Sequence, residues 1–130
     1  MEYKIKPIGY IKTKYKESDN TPSQGAKVKS SLGYIQMEEE FLEGIRDLKS
    51  GMNITLVFYF NQSKGYSLIT NSRMSNVPVG VFSTRSPNRP NSIGITEVVI
   101  REIKGATIEF KGADMLDGTP VIDIKPSLLY

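Results

Sequence analysis

Arg85, Asn88, Arg89 and Asn91 fall within seven residues of one another in the stretch GVFSTRSPNRPNSIGIT, Gly80 to Thr96. Guanidinium forks grip carboxylates and phosphates through two bonds at once. The two amides can each donate and accept, as a nucleobase edge or an amino-acid-like group requires. Pro87 and Pro90 fix two backbone angles, remove two donors and restrict the residues before them. The cations therefore sit on a stiff loop. That loop is either a binding loop or a surface turn whose polar groups satisfy one another. A second stretch, DMLDGTPVIDIKP from Asp114 to Pro126, holds the tight-turn pair Asp117-Gly118. Asp117 can accept from a ligand amine or from hydroxyls, helped by the Gly118 backbone; the alternative is a capped hairpin turn. Asp114, Asp117 and Asp123 do not follow a calcium-loop spacing, and no metal is expected.

The totals exclude several chemistries. The 130 residues contain no cysteine and no histidine. A thiolate zinc site and a cysteine nucleophile are ruled out, and so is the commonest general base at neutral pH. The net charge of +3 hints at an anionic partner. Lys4 and Lys6 lead into Lys12, Lys14 and Lys16, and Lys27 and Lys29 follow. Lysines at 12, 14 and 16 would share one face of an extended chain. They form either a stripe for phosphates or a protected, solvated strand edge. No apolar run is long enough to span a bilayer, and MEYKIKPIGY lacks the apolar core of a signal peptide. The expectation is a cytoplasmic protein of one domain.

The elements that must position these loops read mostly as strands. EYKIKPIGYIKT is extended, with Pro7 marking an edge or bulge. ESDNTPSQGAKVKS is a loop by composition, and LGYIQM is a short strand. EEEFLEGIRDL reads as the one α-helix, opening with acids and placing Phe41, Leu42, Ile45 and Leu48 on one apolar face. ITLVFYF reads as a buried central strand, GYSLIT as a weaker one. VGVFS and IGITEVVIREI flank the arginine loop. The latter turns at Lys104-Gly105 into ATIEFKG, a hairpin. Many short strands, turn signals and one helix indicate an all-β barrel or sandwich, and the absence of strand–helix alternation argues against a doubly wound sheet.

With both loops and these elements in hand, the sequence resembles the TrmO (YaeB-like) family of S-adenosylmethionine-dependent tRNA methyltransferases. The resemblance rests on GVFSTRSPNRPNSIGIT and DMLDGTPVIDIKP, with PIGYIKT, TPSQG, FLEGI and ITLVFYF in the same order, and covers nearly the whole chain. It implies an all-β, single-domain β-barrel over residues 1–130, with one short α-helix and no appended C-terminal domain. It implies methylation of the exocyclic amine of a threonylcarbamoylated adenosine beside the tRNA anticodon, by a homodimer with its site near the subunit boundary. By matched motif, the S-adenosylmethionine pocket draws on Pro22, Ser23, Gln24, Asn61, Gln62, Arg85, Ile95, Leu116, Asp117, Gly118 and Thr119.

The same residues leave the proton acceptor open among Asp117, Asp123 and Tyr130, with Asp117 foremost. RNA phosphates are assigned to Lys12, Lys14, Lys16, Arg89 and Lys125, with Arg73 and Arg101 in reserve. Four positions depart from the family pattern. Asn53 and Asn61 stand where histidines are usual, Ser23 replaces an arginine, and Ser127 replaces a tyrosine. They leave three competing readings: a module that binds S-adenosylmethionine without turnover, a methyltransferase with a non-tRNA acceptor, and an RNA-binding barrel with no cofactor.

Overall fold

The computed structural model describes residues 1–15, 31–72 and 75–128. Lys16, Pro22, Ser23, Gln24, Lys27, Lys29, Arg73 and Tyr130 therefore lie outside the described residues. The strands are β1 (Gly9–Lys12), β2 (Leu32–Met37), β3 (Asn53–Tyr59), β4 (Ile69–Asn71), β5 (Pro78–Gly80), β6 (Ile93–Lys104), β7 (Thr107–Lys111) and β8 (Pro120–Pro126). Six of them close on themselves in the order β1-β2-β7-β6-β3-β8, and β4 pairs only with β5. Every neighbouring pair is antiparallel.

Period-two side-chain alternation turns this ladder into a core. Ile11, Ile35, Ile54, Leu56, Ile108, Phe110 and Val121 point inward and are wholly buried. Removing each such side chain from water is worth about 1.5–3 kcal/mol. Two register shifts, one against β8 at Val57/Phe58 and one against β7 at Ile100/Glu102, bend the ladder. β3 is not buried on both faces as its apolar run suggests. Ile54, Leu56 and Phe58 face in, while Tyr59 is exposed. A closed sheet has only one dry side, so the remaining apolar residues of β3 face out, opposite Ile93 and Ile95 of β6. The N-terminal strand is also shorter than its pattern: pairing starts at Gly9 and stops at Lys12.

The helix is of a different kind from the one expected. Glu39–Ile45 is a 3₁₀ helix, not an α-helix. Phe41 N–H donates to the Glu38 carbonyl at 3.0 Å, and Leu48 N–H to that of Ile45 at 3.0 Å. Side chains three apart eclipse in such a helix, so Leu42 and Ile45 align, and Leu48 follows one turn beyond the helix end. These three pack on the barrel core with Phe41 beside them. No side-chain cap forms at Glu38, and Gly44 lies mid-segment; both weaken an α-helix.

The registers fix which loops share an end. β3 finishes at Tyr59 opposite the start of β6, Phe58 faces Val121 near the start of β8, and the end of β7 pairs with the start of β2. Residues 60–68, 81–92 and 112–119 thus leave one end of the barrel. The 3₁₀ helix covers the other.

Candidate functional site

The arginine loop is braced from within. The Thr84 hydroxyl donates to the Val81 carbonyl at 2.8 Å and accepts from Ser86 N–H at 3.3 Å; the Ser86 hydroxyl accepts from Asn88 N–H at 3.2 Å. Arg89 Nη1 donates to the carbonyls of Thr84 at 2.8 Å and Ser86 at 3.2 Å, and its guanidinium lies 5.9 Å from the Phe82 ring centroid. Arg89 is therefore a brace of the loop, and phosphate contact through that guanidinium competes with these bonds. Ser63 ties the loop to residues 60–68 by offering its hydroxyl to the Pro87 carbonyl at 3.1 Å and to Asn88 Oδ1 at 2.8 Å. Phe60 N–H donates to Ser92 O at 2.8 Å. Arg85, by contrast, is exposed and has no partner among the described residues. A stiff loop thus holds one arginine in reserve.

The second turn is built against β1. Asp117 N–H donates to the Tyr15 carbonyl at 2.7 Å and Gly118 N–H to that of Ile11 at 2.8 Å, while Asp117 Oδ1 accepts from Thr13 N–H at 3.1 Å. Gly118 sits at φ +85°, which suits glycine, and an added Cβ would meet nothing within 4 Å. The turn is thus stapled through Asp117 and open at Gly118. Thr119 is buried and its hydroxyl donates to the Leu116 carbonyl at 2.7 Å. It shapes the turn and offers no hydroxyl outward. Beside it, Asp114 has a buried Oδ1 with no hydrogen-bond partner, and burial pushes its carboxyl above the usual range.

The other assigned residues divide by position. Asn61 and Gln62 are exposed in the turn that follows β3, and Ile95 is half exposed on the outer face of β6. They share the Arg85 end of the barrel. No described contact joins this group to Leu116, Asp117, Gly118 and Thr119, which rise at the same end beside β1. Lys125 lies toward the opposite end, with Nζ 2.8 Å from Asp123 Oδ2. Asp123 also accepts from Ile124 N–H at 2.9 Å. Arg101 reaches Glu109 at 3.3 Å, again away from the loops. Lys12 and Lys14 are exposed, but the chain bends at Lys14 and Lys14 Nζ lies 5.6 Å from the Tyr15 ring centroid. Strand pairing ends at Lys12, so an extended-strand face holds Lys12 alone among the described lysines of this run.

Two of the four departures do not lie near these loops. Asn53 begins β3 and Asn61 follows its end, a strand's length of about 20 Å away at ~3.3 Å per residue. Ser127 N–H donates to the Asn53 carbonyl at 3.1 Å, so both mark the far end. There the sequence hid a cluster. Glu97 Oε2 accepts from the Thr55 hydroxyl and Oε1 from the Ser127 hydroxyl. Those two bonds hold its carboxyl below the usual range. Thr55 and Glu97 are cross-strand partners, which only the β3–β6 register reveals.

Comparison with known proteins identifies the family. A family model described as "tRNA-methyltransferase O N-terminal domain" matches residues 10–130. The chain belongs to that family. Among relatives of the TrmO N-terminal domain, a Pyrococcus abyssi protein named "Probable S-adenosyl-L-methionine-binding protein" is 39% identical over 121 residues, 93% of this chain and 66% of its own. A Mus musculus protein named "tRNA (adenine(37)-N6)-methyltransferase" is 35% identical over 92% of this chain and 30% of its own. The crystal structure of TrmO from Pseudomonas aeruginosa superposes with a TM-score of 0.80 at 32% identity, over 98% of this chain and 57% of that one. The chain thus spans about two thirds or less of each of these relatives.

Among the described residues no helix is long and apolar enough to cross a membrane, and no group of three or more Asp, Glu, His or Cys could hold a metal.

Proposed function

We propose that this TrmO N-terminal domain binds S-adenosylmethionine at the loop-bearing end of the barrel. It transfers the methyl group to the exocyclic amine of threonylcarbamoylated adenosine next to the tRNA anticodon, and it acts as a cytoplasmic homodimer. The observation that carries the reading is Arg85, an unpartnered guanidinium on a braced loop, at the same end as the open Gly118 backbone.

The residues present fit the cofactor. Arg85 offers a fork for its carboxylate, and the open side of Gly118 lets a ligand approach the backbone closely. Ile95 and Leu116 supply apolar surface. Pro22, Ser23 and Gln24 are assigned to the same pocket by motif. When bound, S-adenosylmethionine supplies a methyl group already activated on a sulfonium, so the protein's task is mainly alignment. Asp117 is the candidate to take the amine proton because its turn stands at the loop-bearing end, with Oδ1 held by Thr13 N–H, whereas Asp123 lies within β8 and pairs with Lys125. Lys12 and Lys14 flank this end as phosphate contacts.

The homodimer reading draws support from the outer face of β3 and β6. Tyr59, Ile93, Ile95 and Val99 are exposed there, with Glu97 and Lys125 nearby as opposite charges.

The test is incubation with S-adenosylmethionine and tRNA bearing the threonylcarbamoyl group, followed by mass spectrometry of the nucleosides. The reading predicts one added methyl on that nucleoside, lost in Arg85→Ala and Asp117→Ala. Cofactor binding with no methylated nucleoside would favour a binding module. Intact transfer in both variants would refute the site.

A further inference from the structure

All fourteen Asp and Glu residues lie outside residues 48–96. That acid-free segment includes the insert between β3 and β6, where β4 and β5 pair with each other outside the barrel. The insert exposes two aromatic rings, Phe82 at 74% and Tyr66 at 59% of their surface. Isolated exposed apolar residues need no explanation, but these two stand on neighbouring stretches of one loop cluster. Val81 N–H donates to the Leu68 carbonyl at 2.8 Å and Ser67 N–H to that of Asn88 at 3.4 Å. Tyr66 and Phe82 therefore leave neighbouring stretches of chain. Lys64 is exposed two residues before Tyr66. Phe82 is also held in place, by the Arg89 guanidinium that the Thr84 and Ser86 carbonyls anchor. A ring fixed before binding loses little freedom on binding.

We propose that this insert is the platform on which unpaired bases of the RNA substrate stack, with Phe82 and Tyr66 as the stacking rings and Lys64 as a flanking cation. The proposal rests on RNA being the substrate. Stacking rings interleaved with cations are what single-stranded nucleic acid requires, because every base has a π-face and every nucleotide a phosphate. A second copy of the chain fits this surface less well. Pairing it with itself would set cations against cations with no carboxylate between them. Arg89 acts here as a positioning residue for Phe82.

The experiment is fluorescence anisotropy with a hairpin RNA carrying an unpaired loop and a fully paired duplex of equal length. S-adenosylmethionine calorimetry and sedimentation are run in parallel. Wild type is expected to prefer the looped RNA. Phe82→Ala and Tyr66→Ala should each weaken it about tenfold, with duplex binding, cofactor binding and sedimentation unchanged. Phe82→Tyr should restore the preference, and Lys64→Ala should weaken both RNAs and flatten the salt dependence by about one unit of slope. Looped-RNA binding equal to wild type in the Phe82→Ala/Tyr66→Ala double variant would overturn the platform alone. A change in sedimentation would assign the rings to self-association and overturn it too. Wild type that binds neither RNA nor S-adenosylmethionine would overturn the functional reading itself.

Discussion

Gly94→Ala is the substitution that most directly couples the core to the loops. Gly94 lies opposite Phe58 in the β3–β6 ladder. A Cβ there would stand 2.7 Å from Phe58 Cζ and 2.7 Å from Phe60 Cε2. Carbon pairs settle at about 3.5–4.0 Å, so both rings would have to move by about 0.8 Å or more. They meet edge to face at 5.1 Å between centroids, and Phe58 is buried. Neither can turn without disturbing the other. Such overpacking costs about 1–3 kcal/mol, which for a domain of this size lowers the melting temperature by about 3–12 °C. The effect should reach the site, because Phe60 N–H holds Ser92 O and the arginine loop ends there. Differential scanning calorimetry gives the melting temperature, and Gly94→Ala/Phe60→Leu reports the Phe60 share of the clash, the Phe58 share remaining. A Gly94→Ala variant as stable as wild type would refute the packing argument.

Two carboxyls should respond to pH with opposite signs. Burial raises the Asp114 carboxyl, so its charged form penalises the fold. The penalty is absent below about pH 4 and grows as pH rises through the raised value. Asp114→Asn should therefore raise the melting temperature at pH 7 and leave it unchanged near pH 3. The Ser127 and Thr55 hydroxyls lower the Glu97 carboxyl, so its contribution is present above the ordinary range and is lost as pH falls through the lowered value. Glu97→Gln should lower the melting temperature slightly at pH 7, less so in acid. Equal shifts at both pH values in either variant would contradict the assignment. RNA binding should weaken steeply between low and moderate salt, and a flat response would remove the phosphate contacts.

Much of the architecture was legible because alternation and turn chemistry are local. Leu32–Met37 is the strand read from LGYIQM, and the hairpin turn at Lys104-Gly105 joins β6 to β7 with Gly105 at φ +56°. What escaped depends on contacts between distant segments. The three-residue spacing of Leu42, Ile45 and Leu48 suits both an α and a 3₁₀ face, and packing over the barrel end decides between them. The roles of Arg85 and Arg89 could not be separated in sequence; only the carbonyls of Thr84 and Ser86 show which one is spent. Asn53 and Asn61 look alike as substitutions, yet a strand's length divides them. The Glu97 cluster needed the cross-strand register, and Thr13 needed the turn at Asp117.

The most direct test of the central claim is calorimetric titration of the purified protein, alone and as Arg85→Ala, with S-adenosylmethionine and its demethylated product. The account predicts micromolar binding by wild type and none by Arg85→Ala, whose melting temperature should stay unchanged because Arg85 holds nothing within the described fold. Undiminished binding in the variant would place the cofactor elsewhere and contradict the account.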